Sequence, residues 1–204
     1  NQYTLFLSAD HGVAHIPEFL TEHKIPAGRL MADNEIKKLN TKLAEIYKVQ
    51  NLIINFENYQ LYYNDKAIDS ANINRTEFTN RIMSHLYSLP EIDRVINLEK
   101  LMTTTLPEPI RKSIINGYHP KRSGDIQIIL KPGYIDGYSN TGTTHGLWNP
   151  YDSHIPLIWY GWGIKQGKTN RETYMTDVAA TIAALLKIQM PSGSVGTVIT
   201  EIMK

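Results

Sequence analysis

Asp10 and His11 stand side by side where an apolar, β-rich run, Tyr3-Thr4-Leu5-Phe6-Leu7-Ser8, gives way to Gly12. An adjacent carboxylate and imidazole offer one oxygen and one nitrogen ligand, a mixture that suits Zn2+. Within a regular strand, neighbouring side chains point to opposite faces. At the strand end that alternation stops, and both can turn toward one cleft. Gly12 lets the backbone bend sharply around an ion. The plainer reading of a bare Asp-His pair is a surface loop in which the Asp caps and the His is solvated.

A second cluster, Gly142-Thr143-Thr144-His145-Gly146, frames a histidine with small residues. His145 is the candidate ligand, against the commoner fate of a loop histidine, which is exposure or a local hydrogen bond. Thr143 and Thr144 beside it suggest a nucleophile, but hydroxyls in such loops more often bond the loop backbone. In the third cluster, Tyr151-Asp152-Ser153-His154-Ile155-Pro156-Leu157, Asp152 reads as a cap or loop clasp and His154 as a structural histidine. His15 lies four residues after His11, a spacing that shares a helix face. Gly12 before it and Ile16-Pro17 after it argue against a helix. His23, His85 and His119 read as solvated or capping, and Lys121 and Arg122 as a salt-bridged strand start rather than a phosphate site.

The elements that must position these residues alternate in type. Strands are expected at 3–8, 51–57, 59–63, 94–98, 125–130 and 155–160, with a tight turn at Asn58. The first is read as buried. Helices are expected at 33–48 with Asn34 or Asp33 near the N-cap, at 76–88 capped by Asn74 or Thr76, at 107–115 and at 174–187. In the last, Val178, Ile182, Leu185 and Leu186 are assigned the inward face. Such alternation indicates an α/β layered fold. Residues 51–117 read as a small α+β lobe inserted between main-sheet strands that end at Ser8 and start near Asp125, leaving 1–50 and 118–204 as the main domain. The loop 131–154 is long enough to suggest function.

Composition narrows the class. The chain has 204 residues, 42% of them hydrophobic and 20% charged, with a formal net charge of +1. That is ordinary for a globular protein, and nothing in it suggests a nucleic-acid partner. There is no cysteine, so disulfides and thiolate metal sites are excluded. No stretch approaches the roughly 20 apolar residues of a membrane span, and no signal peptide is visible. The chain opens almost directly on a strand, which leads us to expect that an N-terminal portion has been removed.

Taken in order, Ser8-Ala9-Asp10-His11-Gly12, Arg122-Ser123-Gly124-Asp125-Ile126, Gly142-Thr143-Thr144-His145-Gly146, and Tyr151-Asp152-Ser153-His154-Ile155-Pro156-Leu157-Ile158-Trp159-Tyr160-Gly161 resemble the alkaline phosphatase superfamily. Thr176-Asp177-Val178-Ala179-Ala180-Thr181-Ile182 and Met190-Pro191-Ser192-Gly193 resemble its closing helix and loop. The likeness is strongest to the bacterial Thr-nucleophile, phosphate-irrepressible branch and to the nucleotide pyrophosphatase/phosphodiesterases. It implies the family's layered sheet with helices on both faces, and two zinc ions about 4 Å apart. By the match, Asp10 and His11 bind one zinc and His145 the other.

The family's Ser or Thr nucleophile, a further Asp ligand and an Asp-x-x-x-His pair lie upstream of the Asp-His motif, and none is in this chain. The resemblance therefore implies the C-terminal part of a phosphate-ester hydrolase acting on small molecules, periplasmic or secreted, and inactive by itself. A phosphoryl or phosphoethanolamine transferase or mutase of the same superfamily, or a non-catalytic metal-binding domain, stays open as an alternative.

Overall fold

A computed structural model describes residues 2–137, 139 and 141–204. Its elements in chain order are β1 (Thr4–Ser8), α1 (Pro17–Glu22), β2 (Gly28–Leu30), α2 (Ala32–Tyr47), β3 (Ile53–Glu57), β4 (Gln60–Tyr63), α3 (Asp65–Ser70) and α4 (Arg75–Tyr87). There follow β5 (Ile92–Asn97), α5 (Glu108–Gly117), β6 (Ile126–Leu130), β7 (Tyr134–Asp136), α6 (Pro150–Ser153), β8 (Leu157–Gly161) and α7 (Asp177–Leu186). The expected α/β organisation is present. The chain divides into two compact units, one of 1–10 with 155–204 and one of 11–154.

The second unit is built on a four-stranded sheet in the order β3-β4-β6-β5, antiparallel throughout. The sequence placed the strand near 125–130 in a main sheet beside the strand ending at Ser8. It lies instead between β4 and β5, and every residue of β6 is buried. Its run Ile-Gln-Ile-Ile-Leu is apolar on both faces, which suits an interior strand. The one polar side chain, Gln127, is satisfied: Gln60 donates to its Oε1 at 2.9 Å, and its amide donates to the Tyr59 carbonyl at 3.1 Å. The β3–β4 hairpin turns through Asn58 and Tyr59, both at positive φ (50° and 60°), the backbone twist that tight hairpins favour.

Helix α4 starts as expected: the Asn74 side chain accepts the Glu77 N–H at 3.0 Å, and Phe78, Ile82 and Leu86 are fully buried. Arg75 in its first turn pairs with Asp65, Glu99 and Asp125. Asp125 also accepts the Tyr63 N–H at 2.7 Å, so the helix start is tied to the entry of β6.

The start of α2 differs from expectation. Neither Asn34 nor Asp33 caps it; the Ala32 N–H donates to Asp136 Oδ1 at 3.0 Å. The carboxylate comes from β7, which pairs in parallel with β2 just before the helix. β7 in turn leads into the segment that carries His145. The loop expected over 131–154 thus contains β7 and α6; Tyr138 and Asn140, also within it, lie outside the described residues.

In the first unit, β1 pairs antiparallel with β8 from Thr4–Gly161 to Ser8–Leu157. The expectation that β1 is buried is not met. Leu5 is 56% exposed and Leu7 58%, because this sheet has two strands and nothing described covers that face. Helix α7 also turns differently. Val178, Ala180, Thr181 and Ala183 are buried while Leu186 is exposed. Ile182, Leu185 and Leu186 instead border a cavity of about 370 Å3 with Tyr3, Phe6, Trp159 and Trp162. Asp177, buried at the start of α7, accepts the N–H groups of Tyr174 (3.0 Å) and Thr197 (2.7 Å).

Candidate metal centre

His11 and His145 are brought together by a short backbone ladder. Gly12 N–H donates to the Asp152 carbonyl at 2.6 Å, Val13 N–H to that of Tyr151 at 3.1 Å, and Ala14 N–H to that of Thr144 at 3.1 Å. The Thr143 hydroxyl donates to the Ala14 carbonyl at 2.6 Å. The strand-like segment 12–14 is thus held between two stretches of one loop. Gly12 is required there, since a Cβ at that position would run into the Tyr151 carbonyl.

The result is a stacked pair. The imidazoles of His11 and His145 lie 3.5 Å apart, centroid to centroid, with 10° between their planes. His11 is half-buried and His145 exposed. His11 Nδ1 sits 2.6 Å from the Gly12 carbonyl. A carbonyl only accepts, so Nδ1 is the donor in this contact. A backbone carbonyl on the other nitrogen is the usual way a metal-binding histidine is oriented.

Asp10 precedes His11 at the end of the first unit and is exposed. Among the described residues, no group of three or more His, Cys, Asp or Glu side chains is gathered closely enough to hold a metal ion. The donors fit zinc in kind, oxygen and imidazole nitrogen, but do not complete a four-ligand shell.

Around the His145 loop are contacts that the sequence did not reveal. The Tyr151 hydroxyl accepts the Gly133 N–H at 3.2 Å. The ring of Tyr59, in the hairpin turn, lies 4.0 Å from where a Cβ on Gly146 would stand, and burial pushes its phenol up to about 12. Burial likewise raises the Asp136 carboxyl. No spacing rule points to a turn tyrosine or to a helix cap 104 residues away in sequence.

Asp152, His23 and His119 bond locally as expected, whereas His154, read as structural, is exposed, and His85, read as solvated or capping, is half-buried with its Nε2 lacking a hydrogen-bond partner among the described residues. Asp152 holds the loop: its Oδ2 accepts the Leu147 N–H at 2.5 Å. His15 is exposed and outside α1, so the helical pairing with His11 does not form. His23 closes α1, its Nδ1 donating to the Phe19 carbonyl at 2.8 Å. His119 Nδ1 accepts the Lys121 N–H at 3.2 Å. Lys121 and Arg122 are exposed, and the ion pair at the start of β6 comes from Arg75.

No family model matches the chain. Individual proteins do. Alkaline phosphatase PafA of Elizabethkingia meningoseptica is 46% identical over 201 residues, covering 98% of this chain and 37% of that protein. Alkaline phosphatase PhoV of Synechococcus elongatus is 41% identical over 204 residues, covering 99% and 36%. A Myroides odoratus protein named calcium-transporting ATPase is 43% identical over 200 residues, covering 98% and 36%. No helix among the described residues is long and apolar enough to cross a membrane. The crystal structure of wild-type PafA superposes with a TM-score of 0.93 at 45% identity, over 99% of this chain and 38% of that one. The chain therefore spans a little over a third of the length of the relatives it matches. With 98% of its length aligned to one alkaline phosphatase at 46% identity and the same backbone over 99% of it, the chain belongs to the alkaline phosphatase superfamily.

Proposed function

We propose that this chain is part of a two-zinc phosphate-ester hydrolase that acts on small molecules outside the cytoplasm. Asp10 and His11 serve one zinc and His145 the other. The observation that carries the reading is the stacked pair. An imidazole binds a metal in its ring plane, through a nitrogen lone pair. Two near-parallel planes 3.5 Å apart do not meet at a shared ion, so the rings suit two neighbouring ions, the arrangement that two-metal phosphatases use.

When bound, such ions lower the pKa of a bound hydroxyl or water and balance charge on phosphate oxygens. This chain's own contribution is to orient. The Gly12 carbonyl orients the His11 ring, and the ladder of 12–14 fixes the distance to His145. The nucleophile is a Ser or Thr supplied from outside this chain. The Thr143 hydroxyl, committed to the Ala14 carbonyl, supports that assignment.

The test is zinc analysis and p-nitrophenyl phosphate hydrolysis on the full-length protein and on this chain in parallel. We expect about two zinc ions and turnover in the full-length protein, and an inert chain that binds little zinc. His145→Ala in the full-length protein should lower kcat/KM by more than about 100-fold, beyond what loss of an outer partner of a ligand costs. A full-length protein that binds no zinc and cleaves no phosphate ester overturns the reading. Transfer of the phosphoryl group to an added alcohol without release of phosphate makes it a transferase instead.

A further inference from the structure

Asp152 is bonded to the backbone beside both histidines. Its backbone carbonyl receives the Gly12 N–H at 2.6 Å, next to His11. Its carboxylate Oδ2 receives the Leu147 N–H at 2.5 Å, two residues beyond His145. Its own N–H is anchored to the Asn149 carbonyl at 2.9 Å, at the start of α6. The residue is 3% exposed, and its second oxygen, Oδ1, is buried without a hydrogen-bond partner among the described residues. A buried carboxylate with one oxygen unmatched is costly to keep. A cap on one N–H would not need it, since a neutral acceptor would do.

What the carboxylate adds is a charge-assisted bond, roughly twice as strong as a neutral one, and freedom from error. Both its oxygens accept, whereas an asparagine can turn its NH2 toward the same N–H. We propose that Asp152 is a positioning residue for the metal centre, clamping the His145 loop against the Gly12 backbone so that the two imidazoles stay in register. This rests on the two-zinc reading above only for its functional consequence; the clamp itself is independent of it.

The experiment uses Asp152→Ala and Asp152→Asn in the full-length protein. Zinc affinity is measured by competition with a chelator. Asp152→Ala should bind zinc about 10- to 100-fold more weakly, with kcat/KM restored when zinc is raised above the new Kd. Asp152→Asn, which keeps an acceptor, should fall between Ala and wild type. A second readout needs neither zinc nor activity. In metal-free protein with labelled histidines, the ring-to-ring nuclear Overhauser effect between His11 and His145 should be present in the wild type, weaker in Asn and lost in Ala.

A variant that melts earlier yet keeps its zinc affinity and the ring contact overturns the proposal, because Asp152 is then a fold residue only. Equal losses in Asn and Ala overturn the acceptor argument. A wild type that binds no zinc sinks the two-zinc reading while leaving the ring contact as the test of the clamp.

Discussion

The four-stranded sheet and the β1–β8 ribbon are made from similar residues and end in opposite states. Leu61 and Tyr63 in β4 and every residue of β6 are sealed, with Leu61 and Ile126 fully buried. Leu5, Leu7, Ile158 and Tyr160 in the ribbon stand more than half exposed. The difference lies in what lies over each face. The four-stranded sheet shares its core cluster with residues of α2, α3 and α4; the ribbon is two strands wide. Apolar content therefore sets what a strand can bury, and its neighbours decide whether it does.

The largest effect should come from the sealed side. Phe78→Ala removes a fully buried ring packed edge-on against Tyr63 and Tyr47. It should cost about 3–5 kcal/mol in urea unfolding, whereas Leu7→Ala in this chain should stay within about 0.5 kcal/mol. Equal losses would mean the ribbon is covered in solution and would break the contrast. Gly12→Ala comes next. It forces the ladder away from Tyr151 and should destabilise by about 1–3 kcal/mol, while Gly117→Ala, with open space around it, should be neutral or stabilising by up to about 1 kcal/mol. If both glycines behave alike, the close approach at Gly12 is not tight.

The smallest effect is one of pH. Burial, reinforced by the nearby Lys42 and Lys38 and partly offset by Glu35, lowers the His85 imidazole below its ordinary 6.5. The unfolded chain then binds the proton more readily. Stability should rise as pH climbs from the lowered folded value through 6.5 and level off above it. His85→Leu should flatten that rise in unfolding curves taken between pH 5 and 7.5, and an unchanged slope would assign the effect to another group.

Periodic and capping signals made α2, α4, α5 and β6 legible, together with the Asn58 turn, because each depends on neighbours in sequence. Strands β2 and β7, three residues each, are too short to carry a pattern. The cap of α2 was not readable, since Asp136 reaches it through the parallel pairing of β7 with β2. The inward face of α7 was misassigned because bulk was taken as the guide, while the helix buries its small residues and turns Leu186 outward. At the candidate site, Asp-His-Gly and Thr-His-Gly marked two segments that the structure brings side by side. That the two imidazoles stack could not be read, because it follows from hydrogen bonds between 12–14 and 143–152 that no local spacing encodes.

That ladder also sets an order of events in folding. The Thr143–Ala14 bond spans 129 positions, so it closes a very long loop, and such contacts form only after shorter ones have reduced the entropy to be lost. Hairpins and helices within 17–136 can assemble from a growing chain. His11 and His145 cannot meet until residues through Asp152 have been made. The stacked pair can therefore form only once residues 143–152 are present to hold the segment 12–14.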